Sequence, residues 1–187
     1  MKRRNSLRLL AAMSFVVLLV LAGSRSKPLE GLVTPDMTRD LGNMLLTLTM
    51  FWGYLTLSQY LIVWSGNLPD EVRYFAVRLH GGWNWIGTLL VVGQFFIPFL
   101  LLLSTALKRS ARMLGFVCAW ILAMRVIGIL WTLAPAFPDQ ASHSVGLDLV
   151  LIVAMGIVWL GWFAAMRRRA APVPAYDPRL REATGHA

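Results

Sequence analysis

Long apolar runs separated by short polar ones organise this chain. Five apolar blocks stand out: Leu7–Gly23, Leu41–Trp64, Trp85–Leu107, Met113–Leu133 and Val145–Met166. A bilayer core of ~30 Å takes ~20 residues of helix to cross. Backbone amides in that layer must bond within their own segment or barrel, and blocks of this length meet the requirement as helices. The expected fold is therefore an all-α membrane protein, a bundle of five transmembrane helices. Pro98 falls inside the third block. It should kink that helix unless another donor takes the carbonyl it frees.

The polar runs carry start and stop signals. Thr34, Pro35 and Asp36 read as an N-cap, a first-position proline and a first-turn acid, so the second helix should begin before it enters the bilayer. Further on, "SQYLIVWSGNLPDE" spans Ser58–Glu71. A Gly66–Asn67 turn ends one helix. Pro69, Asp70 and Glu71 then suit the first turn of another. Val72, Phe75, Ala76 and Leu79 share one face, with Arg73, Arg78 and His80 off it. This predicts a short amphipathic helix lying in the interface on the outer side. Trp64, Trp83, Trp85 and Trp131 should lie at its level as an aromatic belt, and Trp159 and Trp162 at the inner end of the fifth span.

The first block has two readings. "MKRRNSLR" before an apolar core and "VLAGS" is the pattern of a secretory signal as well as of a first span with a basic flank, and the span is favoured. The division that follows is residues 1–23 as first span or signal-like segment, 24–40 as a cytoplasmic loop, 41–166 as a four-helix transmembrane bundle and 167–187 as a cytoplasmic tail. The tail, rich in Pro and charge, has no apolar period and should order only against a partner. Lys and Arg counts in the short loops orient the chain. Eleven fall on the side of the 24–40 loop, the Lys108–Arg112 loop and the tail, against six on the other. That places the C-terminus in the cytoplasm, with the "MKRR" cluster opposing it.

Composition agrees with burial in lipid. The chain is 57% hydrophobic and 14% charged, too little charge to cover a soluble domain of 187 residues. Its formal net charge is +9. Without a soluble basic stripe interleaved with aromatics, this speaks for basic loops rather than nucleic-acid binding. The single cysteine, Cys118, lies in an apolar block and reads as packing.

Ionisable and amide groups at membrane depth are the candidates for function. Arg125 stands eight residues from the outer end of the fourth block, ~12 Å deep, and Asp148 ~5 Å deep in the fifth. An Arg125–Asp148 pair is one reading; Arg125 on a lipid phosphate or a partner, with Asp148 a plain interfacial cap, is the other. On the pairing view Arg125→Leu should disrupt assembly more than Lys108→Leu, because only Arg125 is stranded in the apolar layer. With Gln59, Tyr60 and Gln94, these residues bias the polar inventory towards the outer half. A quinol pocket or an outward proton path needs such a bias, whereas hydrogen bonding between packed helices needs no ligand and is the commoner role. No catalytic residue, cofactor-binding residue or metal ligand is expected: the sequence has no nucleophile–base motif, no P-loop and no Cys-x-x-Cys-His, and no two His are placed to grip a haem between spans.

Three segments carry a family resemblance: "VTPDMTRDLGNMLLTLTMFWGYLTLSQYLIVWSGNLPDE", "FFIPFLLLLSTALKRSARML" and "DPRLREA". Across roughly Val33 to Arg181 the chain resembles the F-type membrane subunit of alternative complex III, a bacterial quinol:cytochrome c oxidoreductase whose membrane subunits are distantly NrfD-like. The family subunit has ten helices, and this chain corresponds to the last five. The resemblance implies a non-catalytic subunit in the bacterial inner membrane that holds no cofactor itself. It would touch lipid and sit beside a quinol-binding membrane subunit, with haem c and iron–sulfur subunits on the outer side. Quinol would bind, if at all, at the interface with a partner. The alternative is a stand-alone small membrane protein assisting assembly of a respiratory oxidase. A small transporter fits less well, since no inverted halves are visible.

Overall fold

The structure is a computed structural model that describes residues 2–24, 33–67, 72, 76, 78, 82–133 and 145–169; the side chains described begin at residue 8 and exclude 133, 145, 168 and 169. The described residues are helical throughout, apart from caps and turns. The helices are α1 (Lys2–Gly23), α2 (Pro35–Gly66), α3 (Trp83–Val91), a π-helical turn (Val92–Phe96), α4 (Ile97–Leu103), α5 (Thr105–Arg109), α6 (Ala111–Leu133) and α7 (Val145–Arg169). Four stretches are long and apolar enough to cross a membrane: Pro35–Gly66, Trp83–Leu103, Ala111–Thr132 and Gly146–Arg167. In α1 the apolar part is the shorter Arg8–Gly23.

α1 nevertheless packs deeply. Leu10, Ser14, Val17 and Leu21 repeat at intervals of three and four and are all buried between α2 and α6. Ser14 tolerates this because its hydroxyl donates to the Leu10 carbonyl at 2.8 Å.

α2 starts where its sequence signal sets it. Thr34 is extended (φ −81°, ψ 158°), and its hydroxyl accepts from the Met37 amide at 3.2 Å, with Pro35 in the first turn. At 32 residues the helix is ~48 Å long, more than a bilayer core requires. Thr38, Gly42, Leu45, Thr49 and Trp52 form its buried stripe. It ends on Asn67 in the left-handed conformation (φ 44°, ψ 37°), whose amide bonds back to the Val63 carbonyl.

At the third predicted span another donor does take the carbonyl that Pro98 frees, within a local change of register. Pro98 bends no uniform α-helix; the chain changes register to a π turn, in which the Ile97 amide reaches five residues back to the Val92 carbonyl. In that register Pro98, lacking an N–H, leaves the Gly93 carbonyl without its backbone donor. The Trp120 indole on α6 supplies one at 2.8 Å. The span also stops at Leu103 rather than Leu107. Ser104 (φ −72°, ψ 119°) and Ser110 (φ −89°, ψ 111°) are both extended, and α5 forms a separate short turn between them.

The core fills the space between α1, α2, α4 and α6, with Leu10, Leu45, Leu102, Leu114 and Ile121 fully buried. Cys118 is buried among them, as packing requires. α7 lies at the edge. The middle of its apolar stretch is unburied, and an aromatic cluster attaches it: the Phe15 ring lies 5.4 Å from Trp159 and 5.5 Å from Phe163.

Candidate functional site

The five residues singled out in the sequence divide into two groups. Gln59 and Tyr60 are exposed near the end of α2, with the Tyr60 ring 6.1 Å from Trp64. They stand apart from the core. Gln94 is the opposite: only 3% of it is exposed. It lies in the π turn, next to Gly93, where the backbone comes so near α6 that an added Cβ would stand 2.7 Å from the Met124 sulfur. Arg125 follows Met124 directly and is half-buried. The close approach at Gly93 therefore brings Gln94 and Arg125 to one level of the bundle. Asp148, also half-buried, sits in the first turn of α7, on a helix that touches α6.

Chemically this group donates and accepts hydrogen bonds. An amide and a guanidinium lie at depth, and Asp148 is the one carboxylate in the apolar part of the described helices. Among the described residues no three His, Cys, Asp or Glu side chains converge on a metal position.

Sequence reasoning missed two basic residues that hold the ends of the bundle. Arg78 was assigned to the polar face of the interfacial helix, yet it is 4% exposed. Its Nε donates to the Trp131 carbonyl at 3.3 Å and its NH2 group to Thr132 at 2.7 Å, with the guanidinium 5.6 Å from the Trp131 ring centre. These are terminal carbonyls of α6, and α6 has no basic residue in its own last turn to serve them. That absence was the available signal. Trp131 in turn donates from its indole to the Trp83 carbonyl at 3.0 Å, so two of the four predicted belt tryptophans do share a level. Val72 and Ala76, from the expected apolar face, are helical and half-buried. The remainder of the predicted Pro69–His80 helix and the tail beyond Arg169 lie outside the described residues.

At the opposite end Lys108 is 7% exposed. Its stem lies on Gly42, where an added Cβ would meet Cγ at 2.7 Å, and its ammonium donates to Asn43 Oδ1 at 2.6 Å. Asp36 is shared by Arg39 and Arg109, each at 3.6 Å, and Thr38 donates to the Arg109 carbonyl at 3.3 Å. Lys108 is therefore more enclosed by protein than the half-buried Arg125, so burial does not single Arg125 out. A glycine one position before an asparagine on the buried stripe of α2 was the signal.

Neither a scan against models of known protein families nor a search of curated proteins finds a match to this chain.

Proposed function

We propose that this chain is a non-catalytic integral membrane subunit of a quinol-oxidising respiratory complex of the alternative complex III type. It crosses the bacterial inner membrane five times, α1 included, with its C-terminus in the cytoplasm. It buttresses the quinol-binding subunit, and Gln94, Arg125 and Asp148 line a polar route towards the outer surface.

The observation that carries this reading is the segment resemblance over Val33–Arg181, strongest in "SQYLIVWSGNLPDE". The unburied length of α7 adds support, since a subunit of a larger assembly has a face left over for its neighbours. Mild solubilisation followed by affinity purification tests the proposal. The expected result is co-purification with c-type haem and iron–sulfur absorbance. Recovery of the chain without such a partner counts against it, and transient recovery with an immature oxidase favours the stand-alone assembly protein. A reporter fused after Arg169 should be active in the cytoplasm only.

A further inference from the structure

Among the described residues, most buried hydroxyls and indoles have protein partners. Ser14 and Thr49 each donate to a carbonyl of their own helix at 2.8 Å. Trp120 and Trp131 donate to the carbonyls of Gly93 and Trp83. Two groups on α2 depart from this. The Trp52 indole nitrogen and the Thr56 hydroxyl are buried without a hydrogen-bond partner, one turn apart on α2. Gln94, on the π turn, is only 3% exposed.

These groups share a depth and an approach. Phe95 packs across Gly53, whose added Cβ would run into its ring, and lies 6.5 Å from the Trp52 ring. Gly93 faces Met124 and Trp120 on α6. Gln94 stands between Gly93, which faces α6, and Phe95, which faces α2, and is itself buried. Counted at 1.5 Å per residue from the ends of α2 and α3 at Gly66 and Trp83, Thr56 lies ~15 Å deep, Gln94 ~16 Å and Trp52 ~21 Å. All three belong to the middle of a ~30 Å apolar layer, where an unsatisfied polar group is most costly.

We propose that Trp52, Thr56 and Gln94 form an internal hydration site at mid-membrane depth, holding water between α2, the π turn and α6. The donor set fixes the chemistry of the occupant. An indole N–H only donates, so the occupant must accept; the amide and the hydroxyl do both. A neutral molecule that accepts one bond and donates others is required, and a buried water needs two to four polar partners of this kind. The π turn serves the site: it carries Gln94 on a register that also brings Gly93 against α6. This inference is independent of the respiratory reading and holds or fails whatever the chain assembles with.

The test is a substitution cycle in lipid nanodiscs with W52F, T56V, Q94L and their pairwise combinations. An orphan group in a dry wedge would be relieved by an apolar replacement of similar shape, so each single variant would melt higher and the effects would add. At a shared water each single variant removes a bridge and melts lower, by roughly 2–4 °C. Each double variant then melts no lower than its worse single, because the water is lost once. A gain in melting temperature, or losses that add, overturns the proposal. The wild-type minus W52F resonance Raman difference gives a direct reading of the Trp52 indole. It should show a hydrogen-bonded N–H that exchanges in heavy water, and a non-bonded indole would overturn the site. If W52F does not fold, the T56V and Q94L pair carries the same cycle.

Discussion

α6 and α7 are alike in length and apolar character and opposites in the structure. Both are uniformly apolar helices of membrane-spanning length. Yet α6 contributes Leu114, Val117, Cys118 and Ile121 to the core, while α7 leaves Met155, Val158 and Trp162 at least 70% exposed. In water the second helix could not exist in that state, because the exposed face would drive it to bury. In lipid no such force separates the two, and small residues and specific polar contacts decide which helix packs. α6 has these: Trp120 to Gly93, the carbonyls of Trp131 and Thr132 to Arg78, and Met124 close against Gly93. α7 has Gly156 and Gly161, and both face open space.

The sharpest way to break this comparison is to shorten side chains on both helices. Ile121→Ala and Leu114→Ala remove fully buried groups and should cost about 2–5 kcal/mol in nanodisc unfolding. Leu151→Ala and Ile157→Ala, both on exposed positions of α7, should lie within about 0.5 kcal/mol of wild type. Equal losses on the two helices would mean that α7 is buried in the isolated chain.

Next in size is Lys108→Met, which keeps the stem over Gly42 and deletes the ammonium. Asn43 then loses its 2.6 Å donor, and the expected cost is about 1.5–3 kcal/mol, in the range for a hydrogen bond to a charged group. Gly42→Ala should produce a similar loss by displacing the stem instead. If Lys108→Met were silent while Gly42→Ala destabilised, the stem alone would matter and the charge would be incidental.

These two cases mark what the sequence could and could not reveal. The start of α2 was legible because its cause is local: Thr34 caps an amide three residues away, and Pro35 occupies a turn in which its missing N–H has no consequence. That α6 and α7 are helices of membrane-spanning length was legible because the apolar runs are long enough by themselves. Pro98 announced a disturbance, but not its form, since the donor that takes the freed Gly93 carbonyl, Trp120, arrives from another helix. Arg78 was misassigned for the same reason. Its periodicity marks a polar face, while its partners are carbonyls more than fifty residues ahead. Of the candidate residues, counting along the blocks sets Gln94 nearer mid-membrane than Gln59, but says nothing of which is enclosed by protein. Burial separates them, and burial here comes from the approach of α6 at a glycine, which no single-helix pattern records.

A smaller effect concerns how α7 is fastened. Phe15, Trp159 and Phe163 form one aromatic cluster, with Trp159 and Phe163 stacked at 5.6 Å. Replacing Phe15 and Phe163 by Leu singly and together should give a coupling of about 0.5–1.5 kcal/mol, the range for an aromatic pair. Crosslinking between α1 and α7 should fall with it. A coupling near zero would leave α7 attached through α6 alone.

The smallest expected effect decides what the open face is for. Val158→Ala removes two methyl groups from a side chain 72% exposed, so the isolated chain should unfold as wild type does. If lipid covers that face in the cell, the variant should also accumulate and co-purify as wild type, since acyl chains adapt to the missing volume. If another subunit's helix packs there, the same substitution opens a small cavity at a protein seam, with a cost near the lower end of the large-to-small series. Recovery of partners should then fall while the stability of the purified chain does not change. The core substitutions on α6 would lower both together, so the ratio of the two measurements separates a lipid-facing helix from an interface helix even where each change alone is slight.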